Sequence, residues 1–152
     1  MNDTRDDKTI SDDELIDILD ELARTFVKVA DELWEKGRND RRADKISREQ
    51  YAGIRANSRA LVRRSVEIVT SASILRLQEV RGAVEGLSKI TDELKAAKKK
   101  IDRAQNITEA VINALTAVTW VVAAVYAPTP QTIGNAINSA KAFAAAVAAS
   151  VD

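Results

Sequence analysis

The 152-residue chain predicts an all-α fold, an elongated four- or five-helix bundle with coiled-coil-like long helices and a C-terminal hydrophobic helical hairpin. Three observations carry this. Only five Gly and two Pro interrupt a composition that is 45% hydrophobic and otherwise rich in helix formers. Apolar residues recur at three- and four-residue steps along most of the chain, the spacing of one helical face. Charge is abundant at 30% overall, yet residues 110–152 hold a single basic and a single acidic side chain.

A chain of this length holds one core, so residues 1–10 read as a flexible acidic arm and 11–152 as a single helical domain. Ser11 with Glu14 three positions on forms a capping box, and Asp12, Asp13 and Asp17 favour the positive end of a helix dipole. Leu15, Ile18, Leu19, Leu22, Phe26, Val29, Ala30 and Leu33 then keep one apolar face. Lys36 and Gly37 read as a last turn and a left-handed C′ residue, which ends the first helix near 36. A second capping box, Ser47 with Gln50, opens a helix over about 48–80 along Tyr51, Ile54, Leu61, Ile68 and Leu75, widened by Val62, Val66 and Val69. Its register shifts near Leu77 to Val80, and Gly82 and Gly86 mark a bend or break there.

From Val80 a heptad-like series runs through Ala83, Leu87, Ile90, Leu94, Ala97, Ile101, Ala104, Thr108, Val111, Leu115, Val118, Val122 and Val125. One unbroken helix over that span would be about 70 Å long at 1.5 Å per residue. Asn106 with Glu109 is a cap-like pair, so the spacing predicts helices over about 83–105 and 107–127, with continuity over 48–105 or 80–127 as the alternative. Pro128 stops the fourth helix, and Thr129 followed by Pro130 starts a fifth over about 130–151.

Charge is segregated. Residues 1–46 hold nine basic and fourteen acidic groups, and residues 47–109 hold thirteen and eight. An acidic first helix lying against a basic second one accounts for both blocks, and a net charge of zero makes nucleic acid an unexpected partner. Neither Cys nor His is present, which removes the usual general base, zinc ligands and thiolate nucleophile. No catalytic, cofactor-binding or metal-ligating residue is therefore assigned, and a non-enzymatic role is expected. The helix 1 carboxylates (Asp12, Asp13, Glu14, Asp17, Asp20, Glu21, Asp31, Glu32, Glu35) and the arginine stripe (Arg48, Arg55, Arg59, Arg63, Arg64) read as solvated, ion-paired surfaces. The acidic N-terminus is not a signal or transit peptide, so a cytoplasmic chain, or one exported by a signal-less route and associated with membranes, is expected.

Ala110 to Ala127 is eighteen residues without a charge, about 27 Å of helix against a hydrocarbon core of about 30 Å. Val111, Leu115, Val118, Val122 and Val125 supply its apolar side, Trp120 and Tyr126 its interfacial aromatics, and Pro128 and Pro130 its turn. Asn113, Thr116 and Thr119 would need hydrogen-bond partners in lipid. The next helix carries Lys141 near its middle, and Ala136, Ala140, Ala144 and Ala148 form a small-residue ridge suited to close helix packing. Lys95, Lys98, Lys99 and Lys100, just ahead of this hairpin, are placed either to complement a helix C-terminus or to meet anionic headgroups.

In hydropathy layout over the C-terminal third alone, this arrangement resembles the α-helical pore-forming toxins and colicin pore domains, with no shared sequence motif. The resemblance implies a hairpin that associates with or inserts into membranes, with self-assembly into a homo-oligomer. The alternative is a soluble structural or interaction bundle whose Ala-rich hairpin is its core or a contact with a protein partner.

Overall fold

Local hydrogen bonds fix where the helices begin. In the computed structural model, which describes residues 11–70 and 80–149, Ser11 accepts from the Glu14 backbone N–H while Glu14 accepts from the Ser11 N–H, and α1 (Asp12–Arg42) follows. Ser47 and Gln50 repeat the exchange at 3.0 and 2.8 Å ahead of α2 (Arg48–Thr70). The acidic arm and residues 71–79, with Leu75, Leu77 and the expected register shift, lie outside the described residues. Val80 and Arg81 are helical, Gly82 and Ala83 form a turn, and α3 (Val84–Lys98) begins there.

The seam from Val80 is broken, as the Asn106 pair indicates. After α3 the chain makes a short 3₁₀ turn (Ile101–Arg103), extends at Ala104, and restarts at α4 (Ile107–Tyr126), where Asn106 Oδ1 accepts from the Glu109 N–H at 3.1 Å. Asn106→Ala is expected to cost about 0.5–2 kcal/mol, read as a lowered urea midpoint. Thr129 Oγ1 accepts from the Thr132 N–H at 3.1 Å and opens α5 (Pro130–Ala149), so α4 and α5 form the expected antiparallel hairpin.

The first helix runs one and a half turns further than expected. Gly37 is buried inside α1, where a Cβ would stand 2.9 Å from Ile54 Cγ2, so it is a close-approach residue of the α1–α2 contact and caps nothing. The left-handed residue that ends α1 is Asp44, with φ 58°. Its N–H bonds Arg41 O at 3.1 Å and the Lys45 N–H bonds Asp40 O at 2.8 Å, a Schellman ending in which Asp takes the position usually held by Gly.

All five helices pack on one another, and no strand occurs among the described residues. α1 touches α2, α3 and α4; α4 also packs on α2 and α5; α5 also packs on α3. The result is a layer of α3, α1 and α2 against a second layer of α4 and α5. Leu15, Leu19, Leu22, Phe26, Val29 and Leu33 from α1 are fully buried between the layers. In α2 the buried line is Ile54, Ser58, Leu61, Ser65 and Ile68, the two serines letting neighbouring helices come close, while Val66 faces solvent. Ion pairs join α1 to α3 and to the turn of helix just ahead of it: Glu21 with Lys95 at 2.6 Å, and Asp12 with Arg81. Both pairs run in chain order, so α1 and α3 are parallel.

Candidate interaction surface

α4 is apolar on nearly every side, which is why its sequence alone does not say which side is covered. The structure buries Val111, Val118 and Val125, with Ala110, Ala114, Ala117, Val121 and Ala124, against α1, α2 and α5. Leu115 and Val122 sit half-buried at the flanks. The outward stripe is Ile112, Thr116, Thr119, Trp120 and Tyr126, with Ile112 51% and Tyr126 58% exposed. Ile112 lies off the heptad series and was not picked out by spacing. Trp120 and Tyr126 do reach solvent, and Pro130 is exposed at the turn beside a partly covered Pro128.

Polar side chains on and beside this stripe bond their own helix. Asn113 Nδ2 donates to Glu109 O at 2.9 Å, Thr116 Oγ1 to Ile112 O at 3.1 Å and Thr119 Oγ1 to Leu115 O at 2.8 Å. Each side chain folds back on the carbonyl one turn earlier. Both threonine hydroxyl donors, and one of the two amide donors of Asn113, thus have partners within α4.

The alanine ridge of α5 faces inward for half its length. Ala136 and Ala140 are fully buried, Ala144 is half-buried and only Ala148 is exposed. Phe143 and Val147 complete the buried line, and a Cβ on Gly86 of α3 would stand 3.2 Å from Ile133 and 3.1 Å from Ile137. Close packing is what the ridge does, and within this fold it does it against its own chain. Lys141, the lysine near mid-helix, is exposed.

The two layers differ in charge. The carboxylates of α1 are spread along its outer side in ion pairs, Asp20 with Arg24, Glu35 with Arg38, Glu21 with Lys95. Lys95 hydrogen-bonds Glu21 and its charge adds to the effect, holding that carboxyl below its ordinary range; the Ser11 backbone does the same for Glu14. Of the arginine stripe, Arg64 pairs with Glu67 and Arg55 lies 5.7 Å over the Trp34 ring, itself 5.7 Å from Tyr51. Lys95, Lys98 and Lys99 line a groove between α1 and α3, with Lys100 exposed beyond it. The groove is formed by α1 and α3 of the charged layer, whereas the outward stripe belongs to α4 of the other layer.

What the geometry offers is therefore a surface: a helical layer that carries only Glu109 and Lys141 as charges, on one side of a heavily charged one. α4 is one helix of 20 residues, mean hydropathy 1.6, long and apolar enough to cross a membrane, with half of its apolar window covered by the rest of the chain. No protein-family model, no curated protein and no solved structure matches the chain.

Proposed function

We propose that this chain is a non-enzymatic helical bundle that associates with membranes through its α4–α5 layer, in the manner of a pore-forming protein. The observation that carries the reading is the outer face of α4, which is uncharged from Ile112 to Tyr126 and whose threonine hydroxyls are turned back on their own helix. Thr116 and Thr119 donate to carbonyls one turn earlier, and Asn113 beside them gives one amide hydrogen to Glu109 O, which lowers the cost of placing these side chains in hydrocarbon. Tyr126, at the end of α4, gives the same face an aromatic suited to the interface, and Trp120 adds a large apolar surface near mid-helix. On insertion the hairpin leaves the charged layer, and the alanine ridge freed from α3 is available to pack between copies.

A second reading is favoured by a different observation: Val111, Val118 and Val125 with Ala136 and Ala140 are wholly covered inside the bundle, which is the pattern of a core hairpin. Under it, Ile112, Trp120 and Tyr126 form a contact for a protein partner or a second copy, since Trp and Tyr dominate such contacts.

Flotation and dye release with anionic liposomes separate the two. The wild type is expected to float and to release dye, and Ile112→Asp/Trp120→Asp to bind at least about tenfold more weakly, a difference of about 1.4 kcal/mol, with unchanged thermal unfolding. Protein that stays wholly in the aqueous fraction at neutral and acidic pH overturns the membrane reading. Light scattering that finds a strict monomer at all concentrations removes the second-copy version of the other.

A further inference from the structure

We infer that the groove between α1 and α3 is a binding site for a compact polyanion, a ligand with several closely spaced phosphate groups. It has a volume of about 460 Å³ and is lined by Glu21, Arg24, Thr25, Lys28, Lys95, Lys98 and Lys99, five cations against one carboxylate. A space of that size is within the ordinary range for small-molecule sites. The chain as a whole has no net charge, so this concentration is local and is not the by-product of a basic protein.

The carboxylates nearby leave the excess in place. Glu21 is held by Lys95 at 2.6 Å, and Asp20 takes Arg24 at 3.3 Å. Glu32, one turn beyond Lys28, lines a separate cleft with Lys36 and Asp40 and is not within ion-pair distance of Lys28. Lys28, Lys98 and Lys99 have no ion-pair partner among the described residues. Complementing the α3 dipole accounts for Lys95 and Lys98 in its last turn. It does not account for Arg24 and Lys28, which come from the middle of α1 and meet the lysines only because α1 and α3 run parallel. Two helices that converge their cations on one groove, with most of the charge unanswered, fit a ligand that brings several negative charges together.

Such phosphates come from a soluble polyphosphorylated molecule or from a polyphosphorylated lipid headgroup. The groove belongs to the charged layer and the outward face of α4 to the other, so a headgroup here would orient the protein by its charged layer.

The test titrates inorganic tripolyphosphate into the full chain at low salt, followed by calorimetry and amide chemical shifts. Saturable binding centred on residues 21–28 and 95–99 is expected, weakened at least about tenfold in Lys28→Gln/Lys98→Gln/Lys99→Gln with an unchanged circular dichroism spectrum, and weakening as salt rises. Arg59→Gln/Arg63→Gln on α2 is the control and is expected to bind as wild type. Vesicles carrying a polyphosphorylated inositol lipid then assign the source. Flotation lost in the triple variant identifies the headgroup, and tripolyphosphate binding without variant-sensitive flotation identifies a soluble ligand. Absence of saturable binding overturns the proposal, as does equal binding by the triple variant or equal loss in the control.

Discussion

Val118→Asp is expected to unfold the bundle in water, while Thr119→Asp, one residue further on, leaves it folded and abolishes its membrane association. Val118 is 0% exposed, on the side of α4 that faces the other layer. The substitution gives up about 1.5–3 kcal/mol of apolar burial and adds a carboxyl group with no partner in a space lined by Val, Ala and Leu. That group either remains ionised at a cost of several kcal/mol or takes a proton and is still an unsatisfied polar group, costing about 1–3 kcal/mol. The sum is about 2.5–6 kcal/mol by the protonated route and more by the ionised one, a large part of the roughly 5–15 kcal/mol that holds a domain folded. Thr119 points outward and bonds only its own helix, through Oγ1 to Leu115 O. An exposed substitution there stays within about 0.5 kcal/mol in water. In a bilayer the same Asp falls near the middle of a 20-residue span, where it costs about 2.5–3.5 kcal/mol, roughly a hundredfold or more in partition. Thermal melts of both variants and flotation of Thr119→Asp read the two effects. A Thr119→Asp variant that floats as well as the wild type would show that α4 is not what enters lipid.

The heptad-like spacing already separates Val118 from Thr119, but it leaves open whether the side that carries Val118 faces the bundle or lipid, for a physical reason. Helix starts are set by hydrogen bonds within four residues, so Ser11 with Glu14, Ser47 with Gln50, Asn106 with Glu109 and Thr129 before Pro130 were all legible as letters. Amphipathic faces were legible wherever polar residues supply contrast, as along Leu15 to Leu33 of α1. α4 lacks that contrast. Its outward Ile112 and its inward Val111 are equally apolar, so spacing puts them on different sides and only the packing of α2, α1 and α5 decides which side is covered. The alanine ridge was legible as a close-packing feature, but the burial of Ala136 and Ala140 within their own chain was not, nor was the approach of Gly86 of α3 to Ile133 and Ile137 of α5, because these are long-range contacts.

Charge shows the same division between local and long-range information. Counting by segment separates acidic, basic and nearly uncharged stretches, and these map onto one charged layer and one nearly uncharged layer. The expected partner of the acidic helix was the helix that follows it. The described ion pairs between helices instead reach α3 through Lys95 and the residue before its opening turn, Arg81. α1 and α2 meet through Leu, Ile and the Trp34, Tyr51 and Arg55 group. A run of lysines in the sequence therefore reads correctly as a cluster, yet its counterpart, Arg24 and Lys28 on α1, lies about seventy residues away in the chain and appears only when the helices align.

Gly37 is where the local reading gave the wrong answer, and it carries the other large expected effect. A glycine after a lysine near the end of a periodic stretch has the form of a helix stop. Here it sits a turn and a half inside α1, buried, with Ile54 Cγ2 2.9 Å from where its Cβ would be. Gly37→Leu should gain up to about 1 kcal/mol from helix propensity, since glycine is the worst ordinary residue in a helix interior. Against that, four carbons must enter a contact that does not accommodate even the first. Ile54 is fully buried and branched at Cβ, so its Cγ2 is not the far end of a flexible chain that swings aside. Overpacking of this kind costs about 3 kcal/mol or more at the upper end of its range. Burial wins by about 2 kcal/mol, which for a chain of this size lowers Tm by about 4–8 °C. Ile54→Leu moves the branch from Cβ to Cγ and removes the Cγ2 that blocks the site. In a double-mutant cycle with Gly37→Ala it should recover part of the alanine variant's loss and expose the propensity gain. If instead Gly37→Leu melts above the wild type, propensity has decided the outcome, and α1 and α2 do not approach as closely at this point as the structure has them.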